Sequence, residues 1–210
     1  MKFLNYDTVL CISPHPDDVE YSMMGTILKY VDTHFIILNL CQGGDLDSTT
    51  GKVRLEEVHN VWSDWIPSNS SNIKLEFTKH KFIRDLLEEE WINLIEVYMD
   101  RVEAVFLPNE CDSHFEHRYV AGFGKALVRS KPAALIQYKT SSTDQEWVPN
   151  LFVDVTEQCE LKIKYLSEFK SQQHRYYFRP DVLRAFHSDF QSVKKGKHFI
   201  EQFKVVDMYA

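Results

Sequence analysis

The chain is predicted to fold as an α/β protein: a mainly parallel sheet flanked by helices, with its functional site at the C-terminal edge of the strands. Three observations predict this. Short apolar runs alternate with longer amphipathic stretches over most of the 210 residues. The first and fourth runs stop abruptly at prolines. Histidines and aspartates then crowd immediately behind those two runs, on the edge where open α/β sheets bind ligands.

The first strand is expected at 8–12, apolar and ended by Ser13-Pro14-His15-Pro16-Asp17-Asp18. An apolar run of this length reads as a strand buried on both faces. Pro14 and Pro16 fix two φ angles, so the loop carrying His15, Asp17 and Asp18 is stiff. A helix is expected at 19–31, a second strand at 34–40, and then the polar loop Gly43-Gly44-Asp45-Leu46-Asp47 running on to Thr50-Gly51. That loop is either a substrate contact or a solvated connector. Further helices are expected at 53–65 and 84–98. In the latter Leu86, Leu87, Trp91, Leu94, Ile95 and Tyr98 mark one face, with 88–90 outside it. Strands follow at 73–77, 104–107, 133–138 and 151–155, and helices at 116–128 and 157–173. Such alternation implies βαβ units.

The fourth strand runs into a second polar cluster: Asn109, Glu110, Cys111, Asp112, Ser113, His114, Phe115, Glu116, His117. His114 and His117 are three apart and share a face if a helix starts near Ser113. Histidines and carboxylates from separate strand ends, with no cysteine among them, suit an open three-ligand zinc site.

The length suits one domain over 1–210, and 44% hydrophobic residues suffice for a core. The net charge of −7 argues against a nucleic-acid partner. No run of 18 apolar residues is present, so no transmembrane segment is expected. The start lacks the pattern of a secretory signal. Cys11, Cys41, Cys111 and Cys159 are widely spaced, and a reduced, cytoplasmic protein is the simplest expectation. Assembly into a homo-oligomer is left open. Trp62, Trp65 and Trp91 are expected in the core, Trp147 is the better candidate for stacking on a ligand, and His187 and His198 are expected on the surface.

Ser13-Pro14-His15-Pro16-Asp17-Asp18-Val19-Glu20 and His114-Phe115-Glu116-His117 resemble the signatures of the LmbE/PIG-L family of zinc-dependent deacetylases acting on N-acetylglucosamine-type sugars. Gly25-Thr26-Ile27, the Arg54/Glu57 pair, Val153-Asp154-Val155-Thr156, Lys162, Lys170-Ser171-Gln172 and Phe199-Ile200-Glu201-Gln202-Phe203 add weaker matches, so the resemblance covers nearly the whole chain. It departs at Glu116, where Asp is usual, at Phe169, where His is common, and in the Gly43–Asp47 loop. The resemblance implies a Rossmann-like sheet and hydrolysis of an N-acetyl group from a small amino sugar or N-acetylglucosamine conjugate. It implies His15, Asp18 and His117 as ligands of Zn2+, or of another divalent ion such as Fe2+. It implies Asp17 as general base, with the alternative that Asp17 caps the following helix in a capping box with Glu20. His114 is implied as oxyanion partner or proton donor, its charge favoured by Asp112, with the alternative that it only orients the site or is a fourth ligand. Arg54 and Asp112 are the candidate substrate-binding residues; the alternatives are an Arg54–Glu57 pair and Asp112 as a helix cap. Two His and one carboxylate also form the site of non-haem Fe(II) oxygenases, and a catalytically silent zinc module is the third reading.

Overall fold

A computed structural model describes residues 1–43, 50–65, 72–128 and 133–208. Most of the 43–47 loop therefore lies outside the described residues. The strands are β1 (Thr8–Ser13), β2 (His34–Asn39), β3 (Ile73–Phe77), β4 (Ala104–Pro108), β5 (Ala134–Tyr138), β6 (Leu151–Asp154) and β7 (Ile200–Asp207). The helices are α1 (Asp18–Lys29), α2 (Thr50–Trp65), α3 (Glu88–Met99), α4 (Phe115–Val128), α5 (Cys159–Leu166), α6 (Pro180–Phe186) and α7 (Phe190–Lys194).

The strands form one sheet in the order β3-β2-β1-β4-β5-β7-β6. From β3 to β5 every pairing is parallel; β7 is antiparallel to both β5 and β6. The mainly parallel α/β architecture expected from the sequence is what the chain adopts, and it is unlike the all-β fold that the oxygenase reading would favour.

The central strands are apolar throughout because both of their faces are covered. Val9, Cys11, Phe35, Ile37 and Phe106 point to one side, where they pack with Val19, Met23 and Ile27 of α1 and Val58, Val61 and Trp62 of α2. Their chain neighbours Leu10, Ile12, Ile36, Leu38 and Val105 point to the other side, against Trp91, Ile95 and Met99 of α3 and Val120 and Ala121 of α4. Trp62 and Trp91 are thus core, as expected; Trp147 is buried as well.

The order of strands positions the site. From β1 the chain winds outward to β2 and β3, then crosses back to place β4 on the other side of β1. Loops leaving the C-terminal ends of β1 and β4 therefore diverge, which opens a crevice between them.

Three expectations fail in informative ways. The helix expected from 84 begins at Glu88; Ile83–Asp85 is a 3₁₀ turn, and the Glu90 carboxylate reaches back to accept from the Leu87 N–H at 3.0 Å. The helix expected over 157–173 reduces to α5, flanked by 3₁₀ turns Thr156–Gln158 and Lys170–Gln172. No strand is expected beyond 151–155, yet Ile200–Asp207 forms β7. It escapes hydropathy because it carries Glu201, Gln202 and Lys204, yet Glu201 is wholly buried. Its carboxylate accepts from Lys162 Nζ (2.6 Å), the Gly25 N–H (2.8 Å) and the Thr26 N–H and hydroxyl (2.6 Å each). Gly25 lets α1 lie this close: a Cβ there would stand 2.8 Å from that of Val155.

His187 belongs to the same cluster, and its placement on the surface is corrected: it is 2% exposed. Its Nε2 faces Lys162 Nζ at 3.0 Å and its Nδ1 faces the Ile200 carbonyl at 3.2 Å. An Nε2 that accepts from an ammonium must stay unprotonated. Burial, then Lys162, hold the His187 pKa well below 6.5. As pH falls below about 6.5 the unfolded chain takes up a proton that the folded chain refuses, so stability is lost on acidification. Between pH 6.5 and 5 the wild type is expected to lose more unfolding free energy than His187→Gln, by up to about 1.6 kcal/mol, measured by urea titration. Parallel pH dependences would contradict this account.

Candidate active site

The turn after β1 is tied down atom by atom. Ser13 Oγ donates to the His15 carbonyl (2.7 Å), and the His15 N–H donates to Asp18 Oδ2 (2.8 Å). Asp17, between them, sits at φ +118°. That is a strained backbone for a residue with a Cβ, and such strain persists only where surrounding contacts over-determine it. Asp17 does not cap α1: its carboxylate makes no capping bond and instead accepts from Arg54 Nη2 at 2.8 Å. Nor does Glu20 close a capping box, since it accepts from Trp62 Nε1 at 2.7 Å.

The turn after β4 brings His114, Glu116 and His117 to face this loop. His15 Nδ1 lies 3.0 Å from Asp18 Oδ2 and 3.3 Å from His117 Nε2, and His117 Nε2 lies 3.3 Å from the same Asp18 oxygen. The remote ring nitrogens meet other carboxylates: His15 Nε2 faces Glu116 Oε2 at 2.7 Å, and His117 Nδ1 faces Asp112 Oδ2 at 3.0 Å. His114 stacks on His117 with ring centroids 4.5 Å apart.

These contacts set the charges. Burial pushes the Asp18 carboxyl up, but His117 and His15 outweigh it and hold it well below the usual range. Burial pulls His117 down, but Asp18 and Asp112 lift it to about 10. Burial raises Asp17 to about 6, with Arg54 opposing. His114 goes the other way, to about 4, because burial and its neighbours His117 and His15 all disfavour its charge. The expectation that Asp112 would favour a charged His114 is therefore corrected: Asp112 spends its side chain on His117.

Asp112 is also not in reach of a substrate. It is fully buried. Besides His117, it accepts from the His114 N–H (2.8 Å), Ser142 Oγ (2.6 Å) and Thr140 Oγ1. Thr140 and Ser142 follow β5, so three strand ends meet here. Arg54 does not pair with Glu57. It reaches the Gly43 and Pro16 carbonyls and Asp17, whereas Glu57 accepts from the Ser171 N–H (2.8 Å) and hydroxyl (2.6 Å).

Two overlapping donor groups could hold a cation, with ligand atoms within 4.8 Å of one another: His15, Asp18 and His117, and His15, His114 and Glu116. They open on a cleft of about 420 Å³ lined also by Asp17, Arg54, Phe82, Ser113, Ser141, Ser142, Arg175, Tyr176 and Tyr177. Of the residues expected at the site, His15, Asp17, Asp18, Arg54, His114 and His117 do meet here. Ser141, Ser142 and the segment 175–177 join them without having been expected. The strand-end rule could have found the two serines, because they follow β5; nothing local marks Arg175. Trp147 is not among the lining residues, so its expected place against a sugar is corrected.

The profile described as "PIG-L: GlcNAc-PI de-N-acetylase" matches residues 10–128, which span both loops of the crevice. The chain belongs to the PIG-L (LmbE) family. This PIG-L chain has the fold of N,N'-diacetylchitobiose deacetylase from Pyrococcus horikoshii (22% identity, 97% of this chain and 85% of that one, TM-score 0.73). It is similar to the conserved protein TT1542 from Thermus thermophilus (21%, 98% and 96%, 0.73). It is as similar in fold to GalB, the 4-carboxy-2-hydroxymuconate hydratase from Pseudomonas putida (16%, 100% and 98%, 0.73). No helix among the described residues is long and apolar enough to cross a membrane.

Proposed function

We propose that this chain is a metal-dependent amide hydrolase that releases acetate from a small N-acetylated amino sugar or an N-acetylglucosamine conjugate. One observation carries the reading. Each of two imidazoles turns one nitrogen toward Asp18 and the other onto a separate carboxylate, Glu116 for His15 and Asp112 for His117. A carboxylate on the remote nitrogen is how proteins fix the tautomer and aim of metal-ligating histidines. The residues fit a divalent cation: two imidazole nitrogens and a carboxylate oxygen lie within 4.8 Å of one another, a donor set that suits zinc.

His15 Nδ1, the Asp18 carboxylate and His117 Nε2 would hold Zn2+, or another divalent ion such as Fe2+. When bound, the ion supplies Lewis acidity, polarising a carbonyl and making water acidic near neutral pH. Asp17 lines the cleft beside Asp18 and is held in place by Arg54. It takes a proton from the water whose oxygen attacks the acetamide carbon. When the C–N bond breaks, Asp17 returns the proton to the departing nitrogen. Acetate and a free amine result. Neutral His114, at the rim, donates an N–H to the carbonyl oxygen as charge develops on it.

The likeness to a hydratase favours one competitor, in which the same water adds to a carbon–carbon double bond. Acetate release from N-acetylglucosamine conjugates in added zinc decides between the two, and water addition without acetate would favour the hydratase.

The reading makes two expectations about division of labour. His15→Ala should lose most of its bound zinc by elemental analysis while keeping its fold, because it lies outside the sheet; full occupancy would refute the ligand set. Asp17→Asn should keep its zinc and lose activity by a factor of roughly 10²–10⁴. Loss of zinc from Asp17→Asn with retention in Asp18→Asn would mean that the two aspartates exchange roles.

A further inference from the structure

We propose that the substrate carries an anionic group, a carboxylate or a phosphate, apart from its acetamide, and that Arg175 receives it. This deepens the amide-hydrolase reading and rests on it.

The charges lining the cleft cancel one another except at this residue. Asp17 is paired with Arg54 at 2.8 Å. Asp18 and Glu116 face imidazoles at 3.0 and 2.7 Å. Arg175 also lines the cleft, but no carboxylate of the described residues lies within ion-pair distance of it. Its Nη1 donates only to the neutral Tyr177 hydroxyl, at 2.8 Å, and its Nε is buried without a partner. The other arginine lining the cleft, Arg54, stands against a carboxylate. Its charge is felt by Asp17, but that carboxylate is already bound by Arg54, so the half-buried Arg175 guanidinium is left with no carboxylate of its own. Its planar fork matches carboxylate and phosphate oxygens better than sugar hydroxyls.

Nor is Arg175 a loose surface side chain. The 3₁₀ turn before it is anchored by Glu57, which accepts both the Ser171 N–H and hydroxyl. The Arg175 N–H donates to the Gln172 carbonyl at 2.9 Å, and the Arg175 carbonyl accepts from the Phe178 N–H at 3.1 Å. The Tyr21 hydroxyl of α1 reaches the Tyr177 carbonyl at 3.4 Å. The segment is thus held to the helix that opens with Asp18. A cation aimed at fixed depth beside the reacting group can select among substrates by charge.

Three probes test this on the zinc-supplemented protein: the methyl glycoside of N-acetylglucosamine, its carboxymethyl glycoside, and N-acetylglucosamine 1-phosphate. Acetate release gives kcat/KM, and calorimetry on the Asp17→Asn variant gives binding. One of the two anions is expected to exceed the neutral probe at least about tenfold in both readouts, and which one does so identifies the group. In Arg175→Gln that ratio should collapse toward one, through a loss of roughly tenfold or more for the favoured anion. Arg175→Lys should keep part of it. Equal use of all three probes, or a ratio untouched by Arg175→Gln, overturns the proposal. If no probe yields acetate, the hydrolase reading fails separately, and calorimetry still judges Arg175: anion-selective binding that depends on it upholds the receptor, and its absence refutes it.

Discussion

His15 and His117 each lie between two carboxylates, and the rest of the crevice is arranged to keep them there. Asp18 lies against one nitrogen of each ring; Glu116 and Asp112 lie against the others. Two buried carboxylates and a partly buried one around two imidazoles would repel one another in the absence of positive charge, which is the condition a bound cation would relieve. The sheet satisfies the geometric half of that demand. β1 and β4 are neighbours whose following loops part company, so a His–Asp turn and a His-x-x-His turn face each other across a gap. Thr140 and Ser142 after β5 then close around Asp112 and keep it from turning away.

The same fold uses buried charge twice, for different ends. At the crevice the charges converge on open space. Under α1, Lys162, Glu201 and His187 satisfy one another completely and leave nothing for a ligand. This second cluster joins α5 and β7 to the Gly25–Thr26 turn of α1. It thereby fixes the helix whose first residue is Asp18. Rigidity at a catalytic loop is commonly supplied in this way, by packing and hydrogen bonds a few turns away.

The central strands were legible because burial on both faces leaves an apolar run that no turn can imitate. His15, Asp18 and His117 drew attention because they follow two apolar strands at their C-terminal ends, and it was the resemblance to the LmbE/PIG-L family that singled them out from Asp17 and His114. β7 was not legible: its buried Glu201 depends on Lys162, 39 residues away, and a polar residue paired only in the folded state looks exposed. Asp112 was placed near the right histidines but assigned to the wrong one. Spacing alone cannot tell which of His114 and His117 it faces, and its hydroxyl donors lie 28 and 30 residues on. Arg175 was invisible for the same reason. Its turn is set by Glu57 across 114 residues, not by its own neighbours.

The central claim is that the crevice binds a cation through His15 Nδ1, Asp18 and His117 Nε2. Anomalous diffraction at the zinc edge, from crystals grown with zinc, tests it directly. The account predicts one strong peak about 2.0–2.2 Å from those atoms, with Glu116 and Asp112 still on the remote nitrogens. A peak held instead by His114 and Glu116, or no peak at millimolar zinc, would contradict it.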